Sequence, residues 1–97
     1  MDSFKLIGAI SELKSRMRKE LEKRPNLEKN EKAFGYELVK QASAIVPWKN
    51  ISRDPREIPR LASEIISGYA SEGGRARAAQ YAQEKLTATA MTRRFAS

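Results

Sequence analysis

Apolar residues return along this chain chiefly at steps of three and four. That spacing predicts helices and no sheet. The clearest stripe is Leu6, Ile10, Leu13, Met17 and Leu21, which share one side of a helix over residues 3–23. Glu12, Arg16, Glu20 and Arg24 follow one another at i,i+4 on a different face. Each opposite-charge pair in such a ladder is worth about 0.2–0.5 kcal/mol. Pro25 has no N–H with which to continue, and ends the helix.

A second stripe, Leu27, Phe34, Leu38 and Ile45 with Ala42 beside them, predicts a helix over residues 27–46 that Pro47 closes. Asn30 is an alternative N-cap if the first turn is irregular. Gly35 costs about 1 kcal/mol relative to alanine inside a helix, which implies a close neighbour there. Residues 47–53 read as a loop. Asp54-Pro55-Arg56-Glu57 then has the form of a capped helix start. Ile58, Leu61, Ala62, Ile65 and Tyr69 give an apolar face to a helix over residues 55–71, and Pro59 leaves open a restart at its own position. Gly73-Gly74 supplies a left-handed stop. Beyond it an alanine-rich helix is expected over residues 75–91, with the thin face Ala79, Ala82, Leu86 and Ala90. Threonines at 87, 89 and 92 weaken it, and its last turn around residues 93–97 is expected to fray. The fold class is thus all-α: a small bundle of four helices in a single domain over residues 1–97, with 75–97 a partly independent basic C-terminal helix. Leu13, Met17, Phe34, Leu38, Leu61 and Ile65 should form its core.

Composition adds limits. At 97 residues, 40% hydrophobic and 32% charged, there is room for one modest core. The absence of cysteine excludes a disulfide framework. The apolar stretch over residues 4–10 is broken by Lys5, is too short to span a bilayer and has no signal-peptide flanks. A cytoplasmic protein without a membrane span is expected.

Charge changes the picture most. The net charge is +7, and it is concentrated at the ends. Residues 1–24 hold seven basic against four acidic side chains, residues 25–72 seven against seven, and residues 73–97 five against Glu84 alone. Basic ends around a neutral middle favour an anionic partner. The first helix places Lys5, Arg16, Lys19 and Lys23 within an arc of about 60°, although Glu12 lies on the same strip. Arg75 and Arg77 follow the glycine pair, where a helix start could meet an anion, or where the glycines serve only as a cap. Arg93 and Arg94 extend the basic end. Trp48 is either a core anchor or a stacking surface and binding hot spot. Tyr36, Tyr69 and Tyr81 are too scattered along the chain to suggest an aromatic track.

The chemistry of catalysis is thinly represented. Without histidine or cysteine the chain has neither an imidazole to move protons nor a thiolate to attack or to hold zinc. The carboxylate pairs Glu20/Glu22 and Glu28/Glu31 sit among cations on helix faces, whereas general acid–base work needs a carboxyl perturbed by burial. Ser11 and Lys14 match Ser-x-x-Lys literally but lie mid-helix, without the companion motifs of that chemistry. No enzyme activity, metal or cofactor is expected. The helix, glycine turn and basic helix of residues 58–82 have the outline of a helix-turn-helix, but the turn is long for that motif. Two readings stand. One is a small non-enzymatic nucleic-acid-associated accessory or regulatory protein that contacts phosphates through basic helix faces. The alternative is a protein-binding module (an inhibitor, adaptor or assembly component) docking on an acidic partner, with the first helix suited to homodimer formation.

Overall fold

The first stripe forms α1, Ser3–Lys23, which buries Ala9, Ile10, Leu13 and Met17 and half-buries Leu6 and Leu21. The computed structural model describes residues 3–48 and 57–96; the side chains of 3, 47, 48 and 89–96 lie outside that description. Arg24 leaves helical geometry at φ −135°, ψ 75°, and Pro25 opens a 3-10 helix, Pro25–Lys29, whose one buried residue is Leu27. The expected helix over residues 27–46 is therefore two elements. Asn30, at φ −117° and ψ 101°, is extended and resets the chain, and its Oδ1 accepts a hydrogen bond from the Ala33 N–H at 3.1 Å. It is the N-cap of α2, Glu31–Trp48. This helix continues through Pro47, which the sequence suggests would close it; a proline in the last turn removes only one backbone bond.

The capped start expected at Asp54 and Pro55, and the loop over residues 49–53, fall outside the described residues. Regular structure resumes with α3, Ile58–Gly73, which has Pro59 in its first turn, the restart that the second proline permits. Pro59, Leu61, Ala62, Ile65, Ile66 and Tyr69 are its buried residues. Gly74 stops it at φ 66°, ψ 26°, donating its N–H to the Ala70 carbonyl at 2.9 Å. The fourth helix, α4, spans Ala76–Ala96 and thus extends beyond the expected end at residue 91.

All four helices surround one core, with α2 and α3 against each other and α1 and α4 on opposite sides of that pair, each touching both. No strand occurs among the described residues. The Cα radius of gyration is 12.9 Å, close to the ~13 Å of a folded chain of this length. The six expected core residues are all buried, joined by Val46, Ile45 and Ile66. The alanine face of α4 is not a loose one. Ala78, Ala79, Ala82 and Leu86 are buried, because small side chains let α4 sit close to its neighbours. Gly35 marks the closest approach, since a Cβ there would stand 2.8 Å from the Ala78 carbonyl oxygen and 3.0 Å from Tyr81 Cβ.

Polar residues zip two of the seams. Glu37 of α2, only 6% exposed, accepts hydrogen bonds from Arg24, just past the end of α1, and from Gln41 Nε2 at 3.2 Å within its own helix. The bonds to Glu37 and then to Glu20 hold the Arg24 guanidinium above its ordinary pKa. Between α3 and α4, Gln83 Nε2 donates to the Ser63 carbonyl at 2.9 Å, while the Ser63 hydroxyl donates back to the Gln83 side chain.

Candidate nucleic-acid interface

The cations singled out in the sequence divide into two groups once folded. Arg16 turns toward α2, with Nη1 3.3 Å from Gln41 Oε1 and Nε 3.2 Å from Glu12 Oε1. It is part of the α1–α2 seam. Lys23 sits 3.9 Å from Glu20 at the end of the same helix. Lys5 and Lys19 are exposed and without an ion-pair partner among the described residues. The basic strip of α1 is thus interrupted in its middle. At the start of the last helix, Arg75 pairs with Glu28 and lies over the Phe34 ring at 5.1 Å, roofing the core. Arg77 Nη1 reaches Glu31 Oε2 at 3.5 Å from a largely exposed position. These four charged residues and Phe34 line a shallow cleft of about 260 Å³. Its carboxylates already meet its arginines, so an incoming anion would displace one of them. The glycine pair next to it is spent on capping α3. Arg93 and Arg94 lie on the last turns of α4 with side chains outside the description, as is that of Trp48.

A different face gathers what this cleft lacks. Lys32, Tyr36 and Lys40 recur at four-residue steps along α2, and Arg77, Tyr81 and Lys85 do the same along α4. Four-residue steps keep each trio on one ridge of its helix. The ridges meet because Gly35 lets the helices touch, and because the helices run in the same direction, so that Glu31 meets Arg77 and, further along both helices, Tyr36 meets Lys85. The side chains interdigitate. Lys32 Nζ lies 5.8 Å from the centre of the Tyr81 ring, and Lys85 Nζ lies 5.7 Å from that of Tyr36. Both distances are within the ~6 Å reach of a cation–π contact. Tyr36 is 58% exposed and Tyr81 37%. The result is a surface with four cations and two open aromatic rings, in which Glu31 is matched by Arg77. Glu84 lies about 60° round α4 from Tyr81.

This face was only half visible in the sequence. The Lys-x-x-x-Tyr-x-x-x-Lys and Arg-x-x-x-Tyr-x-x-x-Lys spacings are legible, but residues 36 and 81 are far apart in the chain, and only the α2–α4 contact brings them together. Among the described residues no three acidic side chains gather as metal ligands would. No helix among those residues is long and apolar enough to cross a membrane. No family model, no curated protein and no solved structure matches the chain.

Proposed function

We propose that this is a small, non-enzymatic nucleic-acid-binding protein of accessory or regulatory kind, which holds phosphates with the exposed cations of its helix faces. The observation that carries this reading is the α2/α4 face, where Lys32, Lys40, Arg77 and Lys85 surround Tyr36 and Tyr81. Arg77 is available to a phosphate because its pair with Glu31 is long and solvated, and such pairs contribute about 0–1 kcal/mol. Arg75 is better described as part of the fold. Lys5 and Lys19 on α1 add long-range attraction, as does the overall charge of +7.

Titrating random-sequence DNA and RNA at about 50 and 200 mM salt tests the reading. Affinity should fall steeply with salt. Changing Lys32 and Lys40 to glutamine should flatten the slope of log K against log salt by about 0.7 per contact on single strands, or 0.9 on duplex DNA. No binding to any nucleic acid at the lower salt would remove the proposal. One observation supports the alternative of a protein partner: Phe4 and Ile7 are 85% and 64% exposed on α1, away from its buried stripe. That stripe itself is spent in the core. If the protein sediments as a dimer, or is captured by an acidic protein, and Phe4→Asp with Ile7→Asp abolishes this, the alternative takes over.

A further inference from the structure

We infer that the α2/α4 face is a stacking platform for unpaired bases, so that its ligand is single-stranded DNA or RNA and not a duplex. The inference rests on the nucleic-acid reading above and makes it specific.

Neither Tyr36 nor Tyr81 belongs to the hydrophobic core. What α4 presents to Gly35 is the Cβ of Tyr81, not its ring, and Tyr36 is more than half exposed. A ring that does little for the core and stands in water between two lysines is a surface ready for another π-system. Lys32 and Lys85 lie over these rings on flexible four-carbon stems. A base that stacks on Tyr81 or Tyr36 can take the ammonium's place on the ring, or be sandwiched beneath it. Either way the displaced ammonium remains within reach of the phosphate attached to that base. Stacking and charge neutralisation are then supplied by the same pair of residues, twice over, on adjoining ridges. Every base has a π-face, so this arrangement is indifferent to sequence.

A duplex offers this face much less. Its bases are already stacked on each other, so the tyrosines could reach a π-face only by unstacking them. Nor can the face enter a groove. Two adjacent helices, each about 10 Å across, make a ridge wider than the ~12 Å major groove. Against a duplex only the lysines and Arg77 could act, and the rings would lie idle between them.

The test compares unstructured DNA and RNA strands of about 12–16 nucleotides with a blunt duplex of the same length, at about 50 mM salt. Single strands should bind at least tenfold more tightly. Tyr36→Ala and Tyr81→Ala should each weaken single-strand binding about 5- to 100-fold and leave duplex binding unchanged, while the phenylalanine variants keep full affinity. Alanine retains the Cβ that meets Gly35, and melting curves check the fold. If an alanine variant does not fold, the leucine variant, apolar but without a π-face, replaces it with the same expectation. Equal affinity for strand and duplex, or unchanged affinity on losing the rings, overturns the platform while leaving phosphate binding standing. Failure of every nucleic acid to bind overturns the broader reading as well.

Discussion

One substitution, glycine to alanine, has opposite consequences at two positions of this chain. Gly8 lies inside α1 on its exposed side, and a Cβ built there meets nothing within 4 Å. Gly8→Ala should stabilise by about 0.8–1 kcal/mol, the difference in helix propensity alone. At Gly35 the same propensity gain is set against a Cβ 2.8 Å from a backbone oxygen, where no side-chain rotation can give relief. Forcing α2 and α4 apart typically costs 1–3 kcal/mol from overpacking and carries the Tyr36 and Tyr81 ridges with it, so Gly35→Ala should destabilise by about 1–2 kcal/mol. In a domain of this size each kcal/mol moves the melting temperature by about 4–8 °C. Melting temperatures that shift in the same direction for both variants would show that the α2–α4 approach is not as close as described.

At the level of elements, Arg75 and Arg77 look interchangeable in the sequence, two arginines after a glycine turn, yet they do different work. Arg75 joins the 3-10 helix, through Glu28, to the start of α4 and covers Phe34 of α2. Arg75→Gln should lower stability by about 1 kcal/mol, through a lost cation–π contact and lost stem packing, whereas Arg77→Gln should change it by less than about 0.5 kcal/mol. Urea denaturation of both variants would measure this, and equal losses would contradict it. The helices themselves were legible because a buried stripe at steps of three and four leaves its period in the sequence, as Leu13, Met17, Phe34, Leu38, Leu61 and Ile65 all do. The break at Asn30 was legible only as an alternative, since Leu27 fits the α2 stripe although it belongs to the 3-10 helix. Buried Glu37 carries no local signal, because its partner Arg24 lies outside α2, in the link after α1. The candidate binding face is of the same kind: its two ridges are written locally, and their adjacency is not.

For the whole molecule, the absence of histidine and cysteine leaves no side chain that ordinarily titrates between the carboxylates and the tyrosines. Stability should accordingly be nearly flat from about pH 6 to pH 9. The alkaline limit has a named contributor. Tyr69 is 8% exposed and its ring lies 6.4 Å from that of Phe34, and burial pushes its hydroxyl above the usual tyrosine value near 10, against a smaller opposing effect of Arg75. The sign follows from proton binding. A group that holds its proton more tightly when folded contributes fully below its unfolded pKa, and that contribution is lost as pH rises from there through the folded pKa. Unfolding above about pH 10 releases the Tyr69 proton, so part of the alkaline loss of stability should belong to this one residue. Loss of positive charge at high pH relieves the self-repulsion of a +7 molecule, which works the other way. The comparison that isolates Tyr69 is therefore the difference between the native protein and Tyr69→Phe, measured by urea denaturation at pH 7 and at about pH 10.5. That difference should move in favour of the phenylalanine variant at the higher pH, where phenylalanine has no proton to lose. A difference that does not change with pH would mean that Tyr69 ionises as readily in the fold as in the unfolded chain.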